Sequence, residues 1–488
     1  MLGRLGVRAR QLAFDAASTS GRHEGWTAAD RPIDSDSRRQ GARLRARSRD
    51  LDKNDMLAPT ALRTQSIAGY GVTPHADTGD RELDRDVDAV WQEWGRQASN
   101  GTYHTIDGVQ YLMLRECLTA GAAMLRGRAR LLSDGLVVPL QLELLPIDLL
   151  RSDLTTLLPN GGRIIQGIEL DPLGRIEAYN LWRERPGGDF PQTGWVRLAE
   201  QAICHLYDPR EIGQLRGIPW LSQTMPAIRD LQLLGDALRT RAVGESSFMG
   251  VVKSSEGDEA MSVDGQDADN RDDDGTVIES FEPGMWTYLK AGQDVQFHSP
   301  SAVSHDEFRR SEMQAIAASA GVMHEQISGD LSRTNWTSYK AGSVQHRAVV
   351  RFLQEELLIP MVMRRVWVWF VDAGIAAGVL PERVRARPMR VKGGGAWTRG
   401  YPVRWELPIP EEVDREAEAR ATTYQIRNGL TTWEAEVQRT GRTPEEVLDS
   451  LAATQQAARE RGIVLDCMPG MATQSGQIQA EPARNARP

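Results

Sequence analysis

Residues 256–275, EGDEAMSVDGQDADNRDDDG, carry nine carboxylates against one arginine. Such a stretch cannot join a core, because burying an unpaired carboxylate costs more than its few apolar neighbours return. Yet it lies between two long helical patterns. In GIPWLSQTMPAIRDLQLLGDALRTRAVGESSF, residues 217–248, Leu221, Met225, Ile228, Leu231, Leu234 and Leu238 recur at three and four, the period of an amphipathic helix. Pro226 is a kink or an early-turn residue there. The second pattern starts at Ser304, whose spacing to Glu307 is that of a capping box, and runs through FRRSEMQAIAASAG to about Gly321. Strand-like TVIESF, MWTYLKAG and QDVQFHS follow the acidic run. The chain is therefore expected to build two long helices flanking a small β-unit that carries an acidic loop.

The rest of the chain alternates in the same way. Residues 1–40 read as a polar arm. Residues 41–66 read as helix with a break at Pro59, and Arg43, Arg45, Arg47 and Arg49 alternate along it. Those arginines suit a solvated face, salt bridges between subunits, or contact with nucleic acid. LDRDVDAVWQEWGRQA and IDGVQYLMLRECLTAGAAMLRGR predict two further helices. From about 136 to 210 the period shortens, and turn signals such as PNGG and DPLG separate short strands. A long helix is expected from about Trp336, broken or kinked at Pro360. RVRARPMRVKGG reads as a short strand. Three C-terminal helices are bounded by Asn428-Gly429, Thr440-Gly441 and Gly462. Helical blocks around a β-rich one make the class α+β.

With 488 residues, 40% of them hydrophobic, the chain has material for several cores. Its net charge of −9 argues against an ordinary DNA reader, which is usually basic. Cys117, Cys204 and Cys467 are far apart and form no CxxC pair. The N-terminus shows no apolar region of signal-peptide length. The most apolar window, residues 357–380, is interrupted by Arg364, Arg365 and Asp372, which suits a buried helix better than a membrane span. HEQIS at 324–328 lacks the second histidine of a zinc-protease motif. In the acidic run, Asn270, Asp272 and Asp274 fall at the oxygen-ligand positions of a calcium loop, but the bidentate glutamate is replaced by Phe281. There is no P-loop and no GxSxG. Cys204-His205 reads as packing material. No catalytic residues, metal site or cofactor are expected.

One further segment is too polar and too long for a plain connection. SGDLSRTNWTSYKAG, residues 328–342, gathers two glycines, Arg333, Thr334, Asn335, Trp336, Thr337 and Lys340 between two helical stretches.

Taken in order, RARSRDLDKND, LPIDLLRSD, GIELDPLGRIEAYNLWRE, HLYDPREIGQLRGIPWLSQTMPAIRDLQLLGDA, SGDLSRTNWTSYKAGSVQHR and LPIPEEVDREAEARATTYQIRNGLTTWEAEVQRTGRTPEEVLDSLA resemble the lambda-type family of phage portal proteins over residues 40–465. The resemblance implies a portal fold: wing, two-helix stem, small α/β clip and helical crown, assembled as a ring, typically of twelve. It implies an N-terminal arm at 1–40, wing at 41–217, stem helices at 218–247 and 304–321, and a clip at 248–303. A tunnel-loop region then covers 322–342, a kinked helix returning to the wing covers 343–408, the crown 409–465, and a tail 466–488. The implied role is non-enzymatic: a conduit for double-stranded DNA at one capsid vertex and a docking platform for the terminase large subunit and head–tail connector proteins, with major capsid and scaffold proteins around it. The ring would assemble in the bacterial host cytoplasm and end in the virion, with no membrane partner.

The resemblance places SGDLSRTNWTSYKAG at the narrowest part of the channel. A surface there must touch phosphates without holding them, because affinity climbs steeply with the number neutralised. Hydroxyls, an amide and a few cations suit that. The other reading has Trp336 and Tyr339 packing on the following helix and Lys340 pairing with a neighbour. The acidic loop, with Asp258, Asp267, Asp269, Asp272, Asp273 and Asp274, would meet a basic surface of motor or connector, or be a solvated insertion. Arg239, Arg241, Arg309 and Arg310 on the stem helices would bridge subunits or face the channel. Competing readings are an adaptor that binds nucleic acid and a hydrolase whose site the sequence does not mark.

Overall fold

The structure is a computed structural model that describes residues 24, 25, 28–101, 105–191, 193–253, 285–289, 305–385, 401–408, 415–439, 442 and 444–463. In chain order, helices α1 (Ile33–Asn54) and α2 (Leu57–Gly69) precede strand β1 (Thr73–Ala76) and helices α3 (Arg81–Gly95) and α4 (Ile106–Ala120). A strand block follows: β2 (Ala122–Ala129), β3 (Leu140–Pro146), β4 (Thr156–Leu157), β5 (Arg163–Ile165), β6 (Ile168–Leu170), β7 (Ile176–Trp182), β8 (Trp195–Ala199) and β9 (Ile203–Tyr207). Next come α5 (Met225–Ser247), β10 (Phe248–Lys253), β11 (Met285–Leu289), α6 (His305–Ala320), the one-turn α7 (His324–Ser328), α8 (Trp336–Phe352) and α9 (Arg364–Ala376). The described chain closes with β12 (Val403–Glu406), α10 (Arg415–Arg427), α11 (Trp433–Arg439) and α12 (Pro444–Glu460). The α+β class holds.

The chain divides into two units. The first comprises Met1–Ser66, Leu112–Arg126 and Leu144–Val349. One of its cores is helical: Leu51, Ala58 and Leu62 pack with Leu118, Leu221, Met225, Ile228 and Leu231 of the run into α5, and with Ile316, Ala317 and Ala320 of α6. The periodic leucines of α5 are thus buried only as far as Leu231; Leu234 and Leu238 are half-buried. The second core fills the strand block. β4–β8 form an antiparallel meander, and Ile168, Leu170, Tyr179 and Leu181 meet Met124, Ile147, Leu150 and Ile203. β2 pairs with β9 from Ala122↔Tyr207 to Arg126↔Ile203.

Two sequence expectations fail in this unit, one at a contact distant in sequence and one at a local helix cap. The helix expected to run past residue 120 stops at Gly121, and AAMLRGRA is strand β2. Gly121 has φ +90°, and a Cβ there would lie 2.6 Å from the Ile218 carbonyl carbon. Gly217 faces it as tightly, with its missing Cβ 1.7 Å from Gly121 O. Nor does Pro59 break the first helix. The break is at Asp55, whose carboxylate accepts from Leu57 N and Ala58 N (2.8 and 2.9 Å). Pro59 sits in the first turn of α2, where a missing N–H removes no intrahelical bond. Pro226 likewise sits in the first turn of α5.

Strand β10 was not marked in the sequence; it pairs in parallel with β11, the MWTYL of the expected β-unit. TVIESF, QDVQFHS, Ser304 and the acidic run lie outside the described residues.

The alternating arginines of α1 are split by helical geometry. Arg43 and Arg47 are exposed, whereas Arg45 and Arg49 turn inward. Arg45 Nε meets Asp148 Oδ1 at 3.0 Å. Arg49 bridges Asp148 Oδ2 and Glu116 Oε1, both at 2.6 Å, and Arg185 adds a third cation to Asp148 at 3.0 Å. Burial alone would raise the Asp148 carboxyl; the charges of Arg49 and Arg45 oppose it, and with the Arg49 hydrogen bond and Arg185 the net shift is below the ordinary carboxylate value.

The second unit comprises Ile67–Tyr111, Gly127–Glu143 and Val350–Pro488. Its centre is aromatic. Trp91, Trp94, Trp367 and Phe370 meet in tilted, edge-on and stacked pairs with centroids 5.0–5.6 Å apart, and Trp94 Nε1 donates to Leu140 O (2.9 Å). Pro360 does not break the helix. Residues Leu353–Met363 are π-helical, Arg364 N donates to Ile359 O, and helix continues into α9. The wider turn absorbs the donor that proline lacks. The apolar window expected to be a buried helix supplies Leu357, Leu358, Val362, Met363, Val366 and Phe370 to this core. β1 and β12 pair antiparallel. Gly429 and Gly462, both left-handed, follow α10 and α12 where helix ends were expected.

Candidate functional site: the segment 328–342

The segment resolves into a short loop and a helix start. α7 ends at Gly329, left-handed at φ +68°, whose N–H closes on Glu325 O (2.9 Å). Asp330 accepts from Ser332 N (2.9 Å), and hydrogen bonding from Ser332, with Arg310 and Arg333 contributing, holds its carboxyl below the usual value. Thr334 N turns back to Leu331 O (3.2 Å), and Thr334 Oγ1 donates to Glu325 Oε1 (2.9 Å), tying the loop to α7. Asn335 caps α8: its Oδ1 accepts from Ser338 N at 2.8 Å.

Arg333, Thr334 and Asn335 are therefore loop residues, whereas Trp336, Thr337 and Lys340 lie in the first two turns of α8. Trp336 is 50% exposed, Lys340 is exposed, and Tyr339 is half-buried. The two glycines do different work. Gly329 supplies the left-handed helix end, while Gly342 lies inside α8, where a Cβ would press on Met323 Sδ at 3.0 Å. None of the seventeen residues of α8 is buried. Its outward side carries Lys340, Ala341, Val344, Ala348, Arg351 and Phe352, all exposed.

Of the stem charges, Arg239 makes an exposed ion pair with Asp236 (2.5 Å). Arg241 and Arg309 are exposed, and Arg310 is half-buried. Asp258, Asp267, Asp269, Asp272, Asp273 and Asp274 lie outside the described residues. Among the described residues no group of three His, Cys, Asp or Glu side chains could hold a metal. None of their helices is long and apolar enough to cross a membrane.

The family model described as phage portal protein, lambda family, matches residues 19–354. A probable portal protein of Halomonas phage phiHAP-1 is 22% identical over 438 residues, which is 86% of this chain and 81% of the relative. Two solved structures resemble the fold at 14% identity: the neck of an empty gene transfer agent particle (TM-score 0.45; 83% of this chain, 94% of the other) and the virion of the native particle (TM-score 0.42; 86% and 97%). The family match extends through both long helices, the loop and α8, and the chain belongs to the lambda family of phage portal proteins.

Proposed function

We propose that twelve copies of this chain close into a ring at one capsid vertex, through which double-stranded DNA enters during packaging and leaves at ejection. The observation that carries this reading is the exposed cap of α8 within a matched portal sequence. Arg333, Trp336 and Lys340 lie at the head of a helix none of whose residues is fully buried. In a ring that helix gains neighbours, and its head becomes a repeated collar of hydroxyls, amides and a few cations. Such a collar gives contacts that exchange as DNA slides, because each subunit neutralises few phosphates. α5 and α6 act as the stem, residues 248–303 as the clip that meets the terminase large subunit and later the connector, residues 41–217 and 343–408 as wing, and 409–465 as crown. The acidic run is the docking face for a basic surface of those partners. The ring assembles in the host cytoplasm with capsid and scaffold proteins and does no catalysis of its own.

The test is imaging of the purified full chain, with light scattering on the same sample. Closed rings of about 650 kDa, twelve times 54.2 kDa, are expected. A monomer or dimer under all salt and divalent-ion conditions would remove the reading. In particles assembled with Trp336→Ala and Lys340→Ala, rings should form normally while packaged DNA falls.

A further inference from the structure

Arg216 stands one residue before the Gly217–Gly121 contact, at the end of the segment between β9 and the run into α5. Only 1% of it is exposed. Its main chain is fully engaged: N donates to Asp34 Oδ1 (3.0 Å) and O accepts from Gln214 Nε2 (2.6 Å). Its guanidinium is not. Among the described residues Nη1 has no hydrogen-bond partner, and no carboxylate forms an ion pair with it. The nearest acids are already spent. Asp34 accepts from two backbone N–H groups, Leu215 and Arg216, and Asp148 is shared by Arg45, Arg49 and Arg185.

The local charge does not balance. Four guanidinium groups (Arg45, Arg49, Arg185, Arg216) meet three carboxylates (Asp34, Glu116, Asp148). Burial raises the Glu116 carboxyl above its ordinary value, against the pull of Arg49. The excess positive charge falls on the most buried member. Burial, together with the Arg45 charge, lowers Arg216 to about 9, and His205 beside it is pressed down to about 3 by burial and by Arg216. Both ring nitrogens of His205 also lack partners among the described residues, as do the buried hydroxyls Ser48 Oγ on α1 and Thr119 Oγ1 on α4. A single water satisfies hydrogen bonds but leaves the charge. An uncompensated buried cation is among the costlier features a fold can retain.

We propose that Arg216 heads a sealed binding site for one small inorganic anion of chloride size, in the wall between α1 and the segment leading into α5. The 1% exposure of Arg216 excludes a side chain from another subunit, so the counter-charge has to be a small ion. The anion neutralises the guanidinium and takes hydrogen bonds from Nη1 and from whichever ring nitrogen of His205 carries the proton. It thereby pins α1 to the segment from which α5 starts.

The test uses the full chain and Arg216→Met, which keeps the length of the side chain and removes its charge. Crystals grown in sodium bromide, measured at the bromine edge, should show anomalous density within hydrogen-bonding reach of Arg216 Nη1. The apparent melting temperature of the unmodified chain should be about 2 °C or more higher in sodium chloride than in sodium gluconate at equal ionic strength. That difference should vanish in Arg216→Met. A water or a protein atom in place of bromide, or a chloride advantage retained by Arg216→Met, overturns the proposal. If Arg216→Met does not fold, the bromide density and the two-salt comparison on the unmodified chain still decide.

Discussion

Asp148→Asn is the substitution that most directly probes how α1 is held. The carboxylate is 15% exposed and faces Arg45 (10%), Arg49 (19%) and Arg185 (50%). Removing its charge leaves Arg45 without its carboxylate and Arg49 with Glu116 alone. Breaking a buried pair in this way costs about 3–5 kcal/mol, and Arg185 is too exposed to add much to that. Partial solvent access to Arg49 places the expected loss near 3 kcal/mol. Urea unfolding of the isolated subunit, followed by tryptophan fluorescence, reads it as a lowered midpoint at constant slope. Replacing the group together, with Asp148→Leu, Arg45→Met and Arg49→Met, should recover most of the loss, because the cost lies in unpaired charge. A loss below about 1 kcal/mol for Asp148→Asn would mean that the cluster is solvated and that the burial argument is wrong. The pH dependence follows from the lowered Asp148 carboxyl. The folded state holds this proton less tightly than the unfolded chain, so the stabilisation is complete above the ordinary carboxylate range. It is lost as pH falls through the lowered folded value.

Three other outcomes can be measured. Gly121→Ala combines a left-handed φ with a Cβ inside the backbone of Ile218 and Gly217, and should cost more than about 3 kcal/mol or prevent folding, seen as loss of soluble chain. His75 bridges Asp88 (2.8 Å) and Glu406 (2.6 Å), and the hydrogen bond to Asp88 leads the causes that raise it. A raised folded value means that the bridge contributes fully below the unfolded histidine value, about 6.5, and fades as pH rises through the folded one. The protection of the Val403–Glu406 amides, with the intrinsic base-catalysed exchange divided out, should therefore fall between about pH 6 and pH 8.5, and that fall should disappear in His75→Gln. Asn335→Ala removes the α8 cap and should cost about 1 kcal/mol, with faster exchange at Ser338 and Tyr339 as its local mark.

Much of this architecture is legible in local pattern. The periodic apolar residues of α5 and α6, the turn-separated strands after residue 136 and the glycines that end α10 and α12 all act within a few residues of themselves, and a single sequence displays them. The resemblance to portal proteins rested on the order of such segments, and the family match agrees with it. The segment 328–342 was legible as an exposed polar element with a helix starting at about Trp336, but the Gly329 helix end and the Asn335 cap were not.

What the sequence alone determined is the set of periodicities: where a helix or strand has one apolar face, and where an acidic run can have none. The tertiary structure decided every feature whose partner lies far along the chain. Gly121 ends a helix because residues 217 and 218 occupy the space of its side chain. Pro360 is tolerated because the chain widens into a π-helical turn inside a packed core. Arg45 and Arg49 point inward because Asp148 and Glu116 wait there, and Arg216 has no carboxylate partner among the described residues because those acids are taken. Propensity and periodicity act over one or two turns, whereas steric exclusion and charge compensation depend on whichever atoms arrive in space, and no local pattern records which those are.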